Sequence, residues 1–372
     1  MNIGIILPGF SADKHDRSIP VYDNLVQAMT PHVDVRVITL RYPFYRSTYH
    51  LFGAAIHALG GSQMRAHKRL KLWWDALRLI QQLHREKPFD ALHAMWADES
   101  GLIASWAGRR MGIPSVVSVA GGEAVGFADI GYGLQLGRLS RWTVRRALHD
   151  ANIIIVACEY TRQLILELHP TLTDTPIHTI PLGIDAQLFT SSDEAPIPNR
   201  LIHVAALHGV KDQATMLRAI AQLPADVTLD IIGDGVDRPM LEALTKQLAI
   251  DGRVHFLGNV PHDDMPHYYQ RAVLNILPSR HEGQGMVTLE AAACGVPTVG
   301  THVGLLPDVS ELGVTVPVGD DVAMAQAIGR LLHEHQQYQA LRQSARDVVI
   351  NRFTIQDTVA QLMALYEALM SA

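Results

Sequence analysis

Two stretches of this chain each combine a short apolar run, a turn and a helical segment, and this order restricts the fold more than any other feature. Residues 2–7 are apolar except for Asn2 and precede the turn Pro8-Gly9-Phe10 and a helix from about Pro20 to Met29. Residues 273–278 are apolar except for Asn275 and precede a glycine-containing turn and a helix over 286–294. Short apolar runs bounded by turns indicate strands buried on both faces, as in parallel sheets covered by helices. The sequence therefore predicts an α/β protein with two Rossmann-like halves.

Length and composition narrow the class of protein further. A chain of 372 residues is too long for one compact core, so two domains are expected. The net charge of −6 argues against nucleic acid as the main partner. No apolar run approaches the ~20 residues of a membrane-spanning helix, and the start of the chain lacks the basic segment of a signal peptide. With two cysteines only, Cys158 and Cys294, disulfides are not expected, and these features favour a cytoplasmic protein.

The turn before the second helix has the chemistry of an anion-binding site. Gly283 and Gly285 allow a ligand to approach the backbone, and the start of the following helix offers free N–H groups and a favourable dipole to a phosphate. Glu282 precedes the helix and Glu290 lies inside it, eight positions later. Two carboxylates around a phosphate cradle suit a ligand with hydroxyls on both sides of its phosphates, such as a nucleotide sugar. The alternative is an ordinary strand–helix unit with two solvated glutamates.

The residues around this turn resemble a known signature. The segments Pro278-Ser279-Arg280-His281-Glu282-Gly283, Leu289-Glu290-Ala291 and Gly295-Val296-Pro297 resemble the E-x7-E motif of retaining glycosyltransferases of family 4, the group 1 family. The resemblance covers nearly the whole chain and is strongest from about 200 to 320. It implies the GT-B fold, in which two Rossmann-like domains face a central cleft and a C-terminal helix crosses back to the first domain. The implied domains are an acceptor-side domain over 1–183, a nucleotide-sugar-binding domain over 184–352 and the crossing helix over 353–372.

The resemblance also assigns roles to residues of the second half. Glu282 would contact hydroxyls of the transferred sugar as an orienting and electrostatic group, and Glu290 would accept hydrogen bonds from the ribose. The diphosphate would be bound by Lys211 and by the N–H groups of Gly285, Met286 and Val287, and Gly258 lies in a segment that resembles the base-contacting one. The sequence departs from the family at Ala206, where an arginine usually stands five residues before the lysine. His208 is either a substitute cation or a solvated bystander.

On the acceptor and sugar side, the resemblance points to Gly9, Gly122 and Glu123. Here Ala120 stands where the family often has a histidine, so a side-chain contact to the sugar is missing or comes from elsewhere. The loop around residues 16–19 lacks the usual pair of glycines, and the glycine-rich loop 126–137 is a candidate acceptor lid.

A helix predicted over 65–87 allows two interpretations. Its apolar positions 70, 73, 77 and 80 form one stripe, which favours packing against the first sheet. The basic residues at its start and the adjacent Trp73 and Trp74 are also typical of a helix at a membrane surface. Packing is the interpretation we favour. A peripheral position at the inner membrane face stays open, because many members of the family glycosylate lipid-linked acceptors.

Several motifs of other enzyme classes are missing from the sequence. It contains no D-x-D and no His/Cys cluster with metal-ligand spacing, so neither a metal nor another cofactor is expected. The G-x-G at 233–235 lacks the third glycine of a dinucleotide fingerprint, and no G-x-S-x-G occurs.

The sequence therefore predicts a metal-independent retaining glycosyltransferase that transfers a sugar from a nucleotide diphosphate sugar to a hydroxyl of a polysaccharide, glycolipid or small molecule. The family implies a front-face mechanism. Two alternatives are a GT-B sugar phosphorylase and a degenerate sugar-nucleotide-binding subunit without catalysis. The nucleotide base is not determined by the sequence.

Overall fold

The computed structural model describes residues 1–16, 19–61, 66–172 and 175–371, with the side chains of 66–68 outside the description. The chain forms two compact units. One unit comprises Met1–Pro181 together with the residues from Ile355 onward, and the other comprises Leu182–Thr354. Among the described residues, no helix is both long and apolar enough to span a bilayer.

The first unit alternates strands and helices along most of its length. Its strands are β1 (Asn2–Gly9), β2 (Asp34–Tyr42), β3 (Ser47–Leu51), β4 (Ala54–Ala58), β5 (Ala91–Ala94), β6 (Ser115–Ser118), β7 (Ile153–Val156) and β8 (Ile177–Thr179). Its first helices are α1 (Pro20–Met29), α2 (Ala66–Glu86), α3 (Glu99–Met111), α4 (Arg138–Asp150) and α5 (Glu159–Leu168).

These strands form one sheet in the order β3-β4-β2-β1-β5-β6-β7-β8, in which only the β3–β4 pair is antiparallel. Ile3 of β1 lies opposite Val35 of β2 on one side and opposite Ala91 of β5 on the other. The chain runs outward from β1 in both directions, so the β1/β5 junction is the switch point of the sheet. In such sheets, ligands bind at the carboxyl ends of the strands beside this junction.

The second unit repeats the pattern with a smaller sheet. Its strands are β9 (Arg200–Val204), β10 (Thr228–Ile232), β11 (Val254–Gly258), β12 (Leu274–Leu277), β13 (Thr298–Thr301) and β14 (Gly313–Val316). Its helices are α6 (Gln213–Ala221), α7 (Arg238–Gln247), α8 (Met265–Gln270), α9 (Met286–Ala293), α10 (Asp321–His333) and α11 (His335–Arg352). The strand order is β11-β10-β9-β12-β13-β14, with every pair parallel, and the switch point lies between β9 and β12. The prediction of an α/β protein with two Rossmann-like sheets is confirmed.

Three strands were not predicted from the sequence, namely β8 and the hairpin β3–β4. The hairpin is hard to detect because its turn uses Phe52 and Gly53, both with positive φ, and because β3 is half exposed. Helix α3 begins at Glu99 because the side chain of Asp98 caps it by accepting from the Ser100 N–H.

The last helix, α12 (Ile355–Ser371), belongs to the first unit. Its fully buried Tyr366 places the hydroxyl 2.6 Å from Nδ1 of His93 in β5, and the other ring nitrogen of His93 lies 2.8 Å from Ser118 Oγ in β6. Burial lowers the pKa of His93 to about 3, so the ring is neutral and uses one nitrogen as donor and one as acceptor. This buried chain of hydrogen bonds fixes α12 to the middle of the first sheet.

Tyr366→Phe is expected to destabilise the first unit by about 1–3 kcal/mol, because it leaves one ring nitrogen of His93 buried without a partner. Urea unfolding followed by circular dichroism measures the loss. Tyr45→Phe is the matched control, since Tyr45 is 57% exposed and its substitution should leave the free energy of unfolding unchanged. Equal stabilities of the two variants would contradict the importance of the His93 contact.

Candidate functional site

The strongest cluster of functional side chains lies at the switch point of the second sheet. Strands β9 and β12 are neighbours there, and both loops that follow them carry residues singled out from the sequence. Lys211 belongs to the loop after β9, and Glu282 belongs to the loop after β12. The two loops are joined by a backbone hydrogen bond of 2.8 Å from the Arg280 N–H to the Val210 carbonyl. The fold therefore brings together residues that are far apart in the sequence.

Lys211 and Glu282 form the central ion pair of this cluster. The Lys211 ammonium lies 2.6 Å from Oε1 of Glu282, and the Ser279 hydroxyl donates to the same oxygen at 2.6 Å. Burial raises the pKa of Glu282, but the charge and hydrogen bonds of Lys211 and the Ser279 hydroxyl outweigh it, so the pKa lies below its usual range. Glu282 is thus a buried, ionised carboxylate with one oxygen already bonded twice.

The glycine-rich turn is held in place by a side chain that the sequence analysis did not single out. Gln284 is buried, accepts from the Leu182 N–H at 2.9 Å and donates to the Leu182 carbonyl at 2.6 Å. Gly304 passes closely beside the turn, and a Cβ there would lie 2.5 Å from the Gln284 carbonyl oxygen. Gly285 has φ +87° and sits immediately before α9. The turn is therefore rigidly fixed, with a left-handed glycine at the position that opens the helix.

The first turn of α9 carries the predicted phosphate-binding groups Gly285, Met286 and Val287. The first N–H groups of a helix have no partner within it, and the helix dipole adds positive potential at the same end. These groups follow Glu282 directly along the chain, so the anion-binding backbone and the buried carboxylate belong to one loop and helix start.

Glu290, on α9, is held by aromatic neighbours and is not a solvated surface group. The Tyr269 hydroxyl donates to Oε2 of Glu290 at 3.0 Å, and Nε2 of His262 lies 3.5 Å from Oε1. Tyr269 is fully buried, and Phe189 lies between the two rings, with centroid distances of 5.3 Å to His262 and 6.2 Å to Tyr269. Tyr269 and His262 were not recognised from the sequence. The only sequence signal for a buried partner of Glu290 is that Tyr269 lies shortly before the apolar run that forms β12.

The loop after β9 carries Ala206 where the family usually has an arginine, as the sequence indicated. Ala206 is exposed, and its carbonyl accepts a 3.0 Å hydrogen bond from the Gln213 amide, which also lies 3.2 Å from Nε2 of His203. His208 uses Nδ1 to accept from the Val210 N–H at 3.3 Å. His208 therefore caps the start of the short 3-10 helix over Gly209–Lys211 through this nitrogen.

Gly233 and Gly235 have a packing role. A Cβ at Gly233 would lie 2.0 Å from the Ala205 carbonyl oxygen, and one at Gly235 would lie 2.2 Å from that of Leu207. The two glycines let the loop after β9 pass directly over the end of β10. Gly258, with φ +74°, ends β11 and accepts a 2.8 Å hydrogen bond from the Gly233 N–H, which places it at the same carboxyl edge.

In the first unit, the predicted sugar-side residues also lie at carboxyl ends of strands. Gly9 is the last residue of β1, and Gly122 begins a short 3-10 helix after β6. Glu123 is 1% exposed, and its carboxylate accepts from the backbone N–H groups of Ala97 at 3.0 Å, Ala120 at 3.2 Å and Gly121 at 2.8 Å. Burial raises the pKa of Glu123, and these hydrogen bonds oppose the rise. Glu123 therefore connects the loops that follow β5 and β6.

Asp98 is an acidic residue of this edge that the sequence analysis missed. Burial raises its pKa to about 7, the hydrogen bond from the Ser100 N–H lowers it, and the nearby charge of Glu123 raises it. Tyr22, whose ring lies 4.8 Å from that of Trp96, feels the charges of both carboxylates, so the three residues are neighbours. An acidic pair thus lies beside the β1/β5 switch point.

Some features singled out from the sequence are only partly described. Residues 17 and 18 of the loop without a glycine pair lie outside the described residues, as do Arg65 and the side chains of 66–68 at the basic start of α2. In the loop 126–137, Phe127 and Tyr132 form an isolated antiparallel bridge and their rings stack at 6.5 Å. Within the described part of the chain, no group of three or more His, Cys, Asp or Glu residues is arranged to hold a metal ion.

Two units with parallel Rossmann-like sheets, and a glycine-rich helix start at the switch point of the second, fit the GT-B fold that the resemblance implied. Family models agree. Residues 187–348 match the glycosyl transferases group 1 model, and residues 20–183 match the glycosyl transferase 4-like domain. The chain belongs to glycosyltransferase family 4, the group 1 family, as its E-x7-E motif predicted.

Individual relatives share this family or fold. N-acetyl-alpha-D-glucosaminyl L-malate synthase of Bacillus anthracis is 27% identical over 308 residues, which is 78% of this chain and 77% of the relative. Sucrose-phosphate synthase of Thermosynechococcus elongatus has a similar structure, with a TM-score of 0.81 at 20% identity over 100% of this chain and 99% of that one. HepE of Anabaena, solved in complex with UDP, gives a TM-score of 0.76 at 17% identity over 99% of this chain and 100% of that one.

Asp98 is expected to make stability depend on pH. Between about pH 4 and about pH 7 the unfolded chain has lost this proton while the folded chain retains it, so stability falls as pH rises through that window. Asp98→Asn keeps the oxygen that caps α3 and removes the titration, so its gain in stability over wild type should grow across the window and then level off. Urea unfolding at several pH values measures this. The exposed Asp193→Asn is the control, and parallel pH profiles for wild type and Asp98→Asn would contradict the assignment.

Proposed function

We propose that this chain is a metal-independent retaining glycosyltransferase that uses a nucleotide diphosphate sugar and a hydroxyl acceptor. The observation that carries the proposal is the 2.6 Å contact of Lys211 with Glu282 at the switch point of the second sheet, beside the start of α9. A cation for the phosphates, a backbone cradle and an ionised carboxylate for hydroxyls stand together at this point. Family membership and the UDP complex of HepE support the same class of donor.

Lys211 and the N–H groups of Gly285, Met286 and Val287 would stabilise the leaving diphosphate. Negative charge grows on its outer oxygen as the bond to the sugar breaks, and preorganised donors lower the energy of that state more than that of the bound donor. The glycine-rich turn cannot relax away, because Gln284 binds Leu182 through both of its amide atoms. This rigidity places the donors before the charge develops.

Glu282 would orient the sugar and stabilise positive charge on its ring. Lys211 and Ser279 both bond to Oε1, so Oε2 is the oxygen available for a sugar hydroxyl. In the front-face reaction, the bond from the anomeric carbon to the phosphate oxygen breaks, and a bond from that carbon to the acceptor oxygen forms on the same face. The acceptor proton passes to the leaving phosphate oxygen. No enzyme nucleophile is required in this reaction.

Glu290 would accept hydrogen bonds from the ribose hydroxyls. Its carboxylate is fixed from behind by the buried Tyr269 hydroxyl, with His262 near its other oxygen. A carboxylate fixed in this way pays little entropy when a ribose binds. The acceptor and sugar side is assigned to Gly9 and Gly122 in the first unit, with Glu123 as the residue that fixes the loop shape there.

One rival function is favoured by a specific observation. Ala206 stands where the family has a second cation, and Nδ1 of His208 accepts a hydrogen bond from the Val210 N–H. A sugar-nucleotide-binding subunit without turnover would tolerate this loss. The binding-subunit hypothesis predicts that nucleotide sugars bind but are neither transferred nor hydrolysed. An active transferase is expected to release free sugar slowly from the donor even without an acceptor.

Binding of UDP, GDP and ADP and of their common sugar conjugates, with and without EDTA, tests the donor site through thermal shift and calorimetry. A ligand that binds only the folded chain raises its melting temperature. Lys211→Met should weaken the preferred diphosphate about 10–100-fold, the size expected for a charge-assisted hydrogen bond. The control is Lys246→Met, an exposed lysine of α7 in the same unit. A shift with no nucleotide at all would contradict the proposal, and a shift with inorganic phosphate alone would favour a phosphorylase.

Glu282→Gln separates binding from turnover. It removes a negative charge 2.6 Å from Lys211, so the diphosphate alone should bind at least as tightly as in wild type. Release of sugar from the donor should fall by about 10²–10³-fold, the size typical of a lost electrostatic contact in the transition state. Weaker diphosphate binding with unchanged turnover would be the reverse pattern and would exclude this role for Glu282.

Tyr269→Phe tests the ribose contact. It removes the hydrogen bond that fixes Glu290, so the preference for a ribonucleoside diphosphate over its 2′-deoxy analogue should shrink several-fold, with little change for the deoxy compound. Calorimetry with both ligands measures the ratio. Tyr268→Phe, on the same helix, is the matched control. A uniform loss for both ligands would indicate general damage to the site and would contradict the positioning role.

A further inference from the structure

A surface of the first unit, formed by α2, α3 and α4, has no role in the proposed reaction. Its centre is a groove of about 640 Å³ lined mainly by Leu70, Trp73, Trp74, Leu77, Trp106 and Met111, with Arg78 and Arg110 among its walls. Trp142 of α4 joins it, since its ring lies 6.4 Å from Trp73 and 6.2 Å from Trp106. We call this surface the tryptophan–arginine face.

The face exposes large apolar side chains that packing on the sheet does not explain. Helix α2 buries Trp73 and Ile80 as its stripe predicted, yet Leu70, assigned to the same stripe, is 58% exposed, and Trp74 is 60% exposed. On α4, Leu139 and Trp142 are 40% and 42% exposed. Helix α2 therefore has two different sides. One side packs on the sheet, and the other presents tryptophan and leucine outward.

The charge of the three helices is strongly positive although the chain as a whole carries −6. Their sequences contain eleven Lys and Arg residues against four Asp and Glu. Two of the four acidic residues form ion pairs with arginines. Glu99 pairs with Arg41 and Arg69, and Asp150 pairs with Arg109 and Arg146. The basic excess on these helices therefore reaches the surface.

Of the remaining two acids, Asp75 is 3.4 Å from Arg46, and Glu86 accepts from Gln82 at the far end of α2. The cations around the groove and Trp142 have no ion-pair partner within the described ranges: Arg78, Arg110, Arg138, Arg141 and Arg145. Arg138 and Arg145 stand four residues before and three residues after Trp142, so they flank it on one side of α4.

We propose that the tryptophan–arginine face docks on the surface of a bilayer that contains anionic lipids. Tryptophan prefers the boundary between lipid headgroups and hydrocarbon, and arginine attracts the negative headgroups, so the combination matches such a surface in both polarity and charge. The buried indole N–H of Trp73, which lines the groove, also has no hydrogen-bond partner among the described residues and could donate to a lipid ester or phosphate oxygen. A neutral bilayer would match the tryptophans but not the arginines, and a nucleic acid would match the arginines but not the exposed apolar surface.

Vesicle co-sedimentation of the full chain tests this proposal independently of catalysis. Wild type should bind vesicles of phosphatidylcholine mixed with phosphatidylglycerol at least about tenfold better than vesicles of phosphatidylcholine alone, and high salt should release it. Arg138→Glu/Arg145→Glu should reduce this binding at least about tenfold, and Trp74→Ala should reduce it several-fold. Arg138, Arg145 and Trp74 are exposed, so these variants should leave thermal unfolding unchanged.

The control variants lie in the second unit. Lys246→Glu/Arg330→Glu matches the double charge reversal, and Val236→Ala, at a residue that is 80% exposed, is the control for truncating an exposed apolar side chain. Absence of wild-type binding, equal binding to neutral vesicles, or equal effects of the control and face variants would each overturn the proposal. Loss of self-association in Trp74→Ala, seen by sedimentation velocity without any change in vesicle binding, would assign the face to a second copy of the chain instead.

Discussion

The ion pair between Lys211 and Glu282 is the contact on which the second unit's site depends. Burying two charges costs solvation free energy, which their mutual attraction and additional hydrogen bonds must offset. Here the Ser279 hydroxyl supplies such a bond, and the backbone bond from Arg280 to Val210 keeps the two loops in register. A pair of this kind is weak evidence for stability but strong evidence for a specific arrangement, because neither loop can move without leaving a charge unpaired.

Much of this arrangement was predictable from the sequence, for a physical reason. Strands buried on both faces are recognisable as short apolar runs, and their carboxyl ends must share one edge of a parallel sheet. That rule puts the loops of Lys211 and Glu282 on the same edge of the sheet, although 71 residues separate them, and the observed strand order makes them neighbours. What the rule cannot give is the side-chain geometry. The bidentate contact of Gln284 with Leu182 depends on the path of a segment about one hundred residues away, which no local pattern records.

The residues that sequence analysis missed share a property. Tyr269, His262 and Asp98 each lie near a carboxylate through a tertiary contact, and a single polar side chain leaves no periodic signal in the sequence. Glu123 shows the converse, since its pattern suggested contact with a sugar while the fold turns its carboxylate toward three backbone N–H groups. The exposure of Leu70 was not predictable either, because a helical stripe predicts which residues share a side of the helix and not which part of that side is covered.

The missing arginine at position 206 has a consequence for how the site would work. The charge of Lys211 is largely neutralised by Glu282. Without a bound ligand, the site would therefore attract a diphosphate mainly through the helix dipole and the N–H groups of α9, and only weakly through net positive charge. Attraction for the departing diphosphate would then arise as Lys211 shifts toward it and Glu282 turns to the sugar, an exchange that favours the transition state over the released product. A site with a second fixed cation would hold the product diphosphate more tightly. Lys211, shared between Glu282 and the phosphate, would therefore couple the orientation of the sugar by Glu282 to the stabilisation of charge on the phosphate.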